Sequence, residues 1–78
     1  MIKELDTVVL KKDIDEYGLK EGDVGAIVHC YKGDQAFEVE FVEANGNTVA
    51  VLTLRSTDIR QMESREILHV RSFTPIAN

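Results

Sequence analysis

The sequence predicts an all-β fold: a small five-stranded antiparallel barrel followed by a C-terminal extension. Three observations predict it. Residues 36–43, AFEVEFVE, alternate apolar and acidic side chains at the two-residue period of a half-buried strand. Asn45-Gly46 lies between that run and a second β-branched run, where a two-residue hairpin turn belongs. The charged stretch of residues 11–23, KKDIDEYGLKEGD, is too polar and too interrupted by Gly18 and Gly22 for a stable helix, and reads as a long loop with room for one helical turn.

The first strand is Leu5 to Leu10, LDTVVL, with Leu5, Thr7 and Val9 sharing a face. After the long loop, Val24 to Tyr31 makes a second strand with Val24, Ala26, Val28 and Cys30 on one side. Gly25 marks a close backbone approach or a bulge. Lys32 to Gln35 turns the chain into the third strand, whose core face is Phe37, Val39 and Phe41. Asn45-Gly46, read as a type I′ turn, joins it to a fourth strand over residues 48–54. Arg55 to Asp58 breaks the pattern as a 3₁₀-like turn before a short fifth strand, Ile59 to Met62. The expected centre is Val9, Val24, Val28, Phe37, Val39, Phe41 and Val51. Residues 1–62 form the barrel domain, and residues 63–78 form a tail that becomes an extra strand or a short helix. Pro75 is the sole proline and lies in that tail.

Seventy-eight residues allow one domain, and 44% apolar with 29% charged residues is enough to build a core. No apolar run approaches the roughly 20 residues of a membrane span. The start, MIKELDTVVLKKD, carries acids where a signal peptide needs an apolar region, and the single Cys30 suits a reducing compartment, so a cytoplasmic location is expected. The net charge of −5 is unevenly spread: residues 1–54 hold eleven acids against five lysines, whereas residues 55–78 hold four arginines against three acids. An acidic body repels phosphate backbones, which disfavours nucleic acid as the partner.

ELDTVVL, GLKEGDVGAIVHCY, AFEVEFVEANGNTVAVLTL and a later Asp-Ile-Arg together resemble the bacterial family catalogued as domain of unknown function 4926, over roughly residues 3–61. The resemblance implies an SH3-like barrel and brings no catalytic residues. Members of that family sit in genomes beside toxin-like or other small proteins, which implies an antitoxin- or immunity-like role toward a neighbour. A more distant likeness, carried by Gly22, Gly25, Ile27 and Val28, is to the KOW-type barrels, which implies RNA binding as the alternative. The acids Asp13, Asp15, Glu16, Glu21 and Asp23 stand where an RNA binder wants Lys and Arg.

Nothing in the sequence calls for an enzyme. His29 and Cys30 are adjacent on a strand and point to opposite faces, so they cannot share a proton or a metal ion. The glycines lack the Gly-Lys-Ser/Thr ending of a phosphate loop, and no metal-ligand spacing occurs. The expectation is no catalytic residue, no metal, no cofactor and no small-molecule substrate. What remains is apolar surface beyond the needs of a small core: Leu52 and Leu54 in the fourth strand, and Ile67, Leu68, Val70 and Phe73 in the tail. These six are the candidate contacts to a protein partner or a second copy.

Overall fold

The computed structural model describes residues 1–74; Pro75 and the rest of the expected tail segment, residues 75–78, lie outside the described residues. The fold is all-β, with strands β1 (Thr7–Leu10), β2 (Val24–Cys30), β3 (Ala36–Val42), β4 (Thr48–Arg55) and β5 (Ile59–Gln61). They form one sheet in the order β4-β3-β2-β1-β5, with every neighbouring pair antiparallel. One turn of 3₁₀ helix, Asp15–Tyr17, sits in the long loop between β1 and β2. No helix among the described residues is long and apolar enough to cross a membrane.

One cluster makes the core: Val8 and Leu10 from β1, Ile27 from β2, Phe37, Val39 and Phe41 from β3, Leu54 from β4, Ile59 from β5, and Leu19 from the long loop. All five strands contribute a face to it, and among the described residues no second sheet or long helix covers that face. A single sheet can dry such a surface only by curling around it.

The alternation of β3 places its side chains as the sequence predicts, but two of its neighbours face the other way. Val28 and Val51, expected at the centre, are nearly half exposed, and Val24 is only partly buried. Opposite residues in an antiparallel pair share a face, and the register puts Leu54, Leu52 and Ala50 opposite Phe37, Val39 and Phe41. That turns Val51 outward. In β2 the inward residue is Gly25: a Cβ there would lie 2.7 Å from Val39 Cγ1 and 2.8 Å from Phe41 Cε1. The Phe41 ring fills the space that a side chain would take. A bulge between Ile27 and His29 then returns Cys30 to the inner side, where it packs against the core.

The β3–β4 hairpin also departs from expectation. Gly46 has φ +91°, but Asn45 is not left-handed, so the turn is not type I′. Gly46 N–H donates to Glu43 C=O at 2.9 Å, and Glu43 N–H donates to Asn47 C=O at 2.8 Å. This is the three-residue alternative, a type I turn closed by a left-handed glycine. The Asn45 side chain accepts from Asn47 N–H at 2.9 Å instead of occupying positive φ itself.

A repeated turn sets the entry to three strands. Lys3-Glu4-Leu5-Asp6 precedes β1, Lys20-Glu21-Gly22-Asp23 precedes β2, and Arg55-Ser56-Thr57-Asp58 precedes β5. In each, the aspartate N–H donates to the carbonyl of the first residue, at 3.1, 2.9 and 2.8 Å respectively. Its carboxylate Oδ2 accepts the N–H of that same residue, at 3.0, 2.8 and 2.9 Å. One short acid thereby satisfies two main-chain groups that a turn would leave unpaired.

Candidate functional site: the clamped tail and the cleft beneath it

After β5 the described tail, residues 62–74, adopts neither strand nor helix. Charged residues hold it to the sheet at two points. Arg60 donates from Nη1 and Nη2 to Glu66 Oε1 and Oε2, at 2.8 and 2.7 Å. Glu63 N–H adds a third bond to Glu66 Oε1 at 2.7 Å. The paired guanidinium and that N–H hold the Glu66 carboxyl down to about 2. At the second point, Arg71 donates from Nε to Asp23 Oδ1 at 2.8 Å, and from Nη2 to Asp23 Oδ2 and to the Gly18 carbonyl, the last at 3.0 Å. Asp23 is therefore both turn cap and clamp. Burial pushes its carboxyl up, but the bonds from Arg71 and from Lys20 N–H outweigh this and hold it below the ordinary carboxylate range.

The strand register shows where the tail runs. Val9 is paired with Val24 on one side and Arg60 on the other. A segment tied to Arg60 at one end and to Asp23 at the other therefore spans from the β5 side of Val9 to its β2 side. Val9 is buried, and so is Val8 on the opposite face of the same strand, which is in the core.

The clamps leave the apolar side chains of the tail facing outward. Ile67 is 92% exposed, Leu68 64% and Val70 90%. Phe73 is partly buried, as is Met62 at the start of the tail, and the Arg71 guanidinium lies 6.0 Å from the Phe73 ring centre. Between tail and sheet lies a cleft of about 340 Å³, whose lining includes Val24, Phe41, Val42, Leu68, Val70 and Phe73.

Of the six residues expected at a partner surface, the structure brings Leu68, Val70 and Phe73 to this cleft and puts Ile67 beside them. Leu54 is in the core and Leu52 packs against it, so neither belongs to the patch. The two adjacent residues once weighed for chemistry diverge: His29 Nδ1 lies 3.8 Å from Glu4 and its ring meets Tyr31 edge-on, while Cys30 turns to the core. Burial and the nearby charges of Glu4, Asp34 and Asp6 push the Cys30 thiol up, away from the reactive thiolate. Among the described residues, no three His, Cys, Asp or Glu side chains gather to hold a metal ion. The sequence reading missed the clamps; Asp23 closes the second copy of a four-residue pattern seen three times, and that pattern marks its turn but not its arginine partner.

The architecture defines a small all-β domain, one five-stranded antiparallel sheet with a single core, and a tail fastened to it by two arginine–carboxylate pairs. The family model for a domain of unknown function, DUF4926, matches residues 4–61, which carry all five strands, and the chain belongs to that family. No curated protein and no solved structure matches the chain. The tail that forms the site begins where the family match ends.

Proposed function

We propose that this chain is a non-enzymatic interaction module that binds another protein through Ile67, Leu68 and Val70 and the cleft beside them. One observation carries the reading: the tail is held by its charged residues and presents its apolar ones to solvent. Packing for stability alone does the reverse, burying apolar side chains and leaving Glu and Arg wet. An exposed apolar row next to a cleft is the surface a partner's side chains would cover. In this reading the SH3-like barrel is the scaffold, the protein acts in the cytoplasm, and the partner is the product of a neighbouring gene, which the module restrains in an antitoxin- or immunity-like way.

The test is co-purification of the chain with the products of adjacent genes, repeated with Ile67→Ser and Val70→Ser combined. Both side chains are over 85% exposed, so the double variant keeps its thermal midpoint and loses the complex. A double variant that still binds as wild type refutes the reading. So does a submicromolar RNA complex that weakens steeply with salt and is lost on Arg55→Ala and Arg65→Ala.

A further inference from the structure

Val51 and Thr53 on the open edge of β4 lie outside the lining of the tail cleft, which β4 reaches only through Val49, and an inference drawn there uses none of the apolar residues of the tail. Ser56 N–H donates to Gln35 C=O at 3.1 Å, next to the Ala36–Arg55 pair. This fixes the phase of the strand. Ala50, Leu52 and Leu54 turn their main-chain groups toward β3, and Val51, Thr53 and Arg55 turn theirs to the open edge; past the bulge the phase reverses and Thr48 faces the edge. Arg55 is already spent, because Asp58 takes both its N–H, through Oδ2, and its carbonyl. Val51 and Thr53 therefore keep unclaimed donors and acceptors among the described residues.

Edge strands are normally guarded by charge or proline, yet residues 44–54, ANGNTVAVLTL, contain neither. We infer that this edge pairs with a second copy of itself, antiparallel, with the two-fold axis at Leu52. In that register Val51 faces the partner's Thr53 and Thr53 the partner's Val51, so the unclaimed groups of both residues find mates. The exposed part of each Leu52 meets its twin. Sliding two residues one way sets Val51 against the occupied main chain of Arg55. Sliding the other way sets Thr53 against Val49, at the bulge where the β3–β4 register shifts.

Charge agrees with the same register. Glu40, paired with Val51, directs Oε2 to the Thr48 hydroxyl at 2.9 Å, and so points toward the Val49 end of the strand. There the partner's Arg55 lies across from Val49. Neither Glu40 nor Arg55 makes an ion pair among the described residues. The two-fold forms the Glu40–Arg55 pair twice.

Sedimentation of the full chain from micromolar to millimolar concentration tests the dimer. Thr53→Pro removes an N–H that points away from β3, so the variant keeps its circular dichroism and loses the dimer. Arg55→Glu weakens the dimer at least about tenfold, and adding Glu40→Arg in the same chain restores it. A wild-type chain that stays monomeric throughout overturns the inference, as does a folded Thr53→Pro chain that dimerises like wild type. Should Thr53→Pro unfold, the charge swap decides: a double variant no tighter than Arg55→Glu alone is equally fatal.

Discussion

Leu5 occupies the third position of the first Lys-x-x-Asp turn with φ +74°, where the matching turn before β2 has Gly22 at +94°. A left-handed conformation costs an L-residue with a Cβ roughly 1–2 kcal/mol. The leucine side chain recovers little of that by packing, being 86% exposed. Leu5→Gly removes the strain and gives back about 0.5–1 kcal/mol through the freer unfolded chain. The net expectation is a gain of about 0.5–1 kcal/mol, which for a domain of this size raises the thermal midpoint by roughly 2–8 °C. Urea unfolding should show a higher midpoint at unchanged slope. The converse variant, Gly22→Ala, has no heavy atom within 4 Å of the added Cβ, so only the backbone penalty remains and the midpoint falls. If Leu5→Gly is less stable than wild type, or Gly22→Ala more stable, the two turns do not share one conformational logic and the reasoning fails.

Two further outcomes follow from the core and from the clamps. Gly25→Ala puts a methyl 2.7 Å from Val39 Cγ1, 2.8 Å from Phe41 Cε1 and 3.0 Å from the Glu40 carbonyl oxygen. Overpacking of this kind lowers stability by about 1–3 kcal/mol in urea unfolding, and a variant as stable as wild type would mean that the Phe41 ring is not fixed against β2. For the tail, Glu66 is held down to about 2 from an ordinary 4.5, and Asp23 is also held low. Depressed carboxyls favour the docked tail above their ordinary pKa, and that contribution disappears as the pH falls from about 4.5 toward 2. NMR chemical shifts of Arg71 and Phe73 should move toward random-coil values across that range while those of Ile27 and Val39 stay dispersed; tail shifts unchanged down to the lower limit would show that the clamps do not hold it.

The strands were legible in the sequence because their signals are local. Period-two alternation in β3 and the β-branched run in β4 each point to a strand without reference to anything else. Which face of β2 and β4 turns inward is a different kind of fact. In β4 both sets are apolar, Val49 and Val51 against Ala50, Leu52 and Leu54, so the pattern by itself is degenerate. Only the pairing with Phe37, Val39 and Phe41 resolves it. In β2 the inward set begins with a glycine, which no hydrophobicity reading places in a core; the aromatic ring that makes glycine necessary comes from another strand. The Asn45-Gly46 signal located the hairpin correctly and misjudged its turn type, because that choice rests on Ala44 joining the loop. The site divides in the same manner. Exposed apolar residues in the tail were legible as a surplus, whereas the Arg71–Asp23 clamp joins residues 48 positions apart and the Arg60–Glu66 clamp follows no helix or strand period.

The acidic balance of the chain takes on another meaning once each carboxylate is followed to its partner. Asp6, Asp23 and Asp58 cap the turns before three strands, and Asp13 accepts from Glu21 N–H at 2.8 Å within the long loop. Glu66 fastens the tail, and Glu38 accepts from the hydroxyls of Tyr31 and Thr53. A short acid satisfies main-chain groups that a tight turn leaves unpaired, and this chain uses one at the entry to three of its five strands. Much of the net charge is therefore a by-product of making turns in a small sheet, and it describes the scaffold more than the ligand. Charges without an internal ion pair carry the information about recognition. Arg55 and Glu40 flank the β4 edge and make no ion pair among the described residues, and Arg60 and Arg71, which in sequence belong to the same arginine series as Arg55, are committed to Glu66 and Asp23. An electrostatic contact made through that series has to draw on Arg55 and Arg65, because recruiting the other two would release the tail.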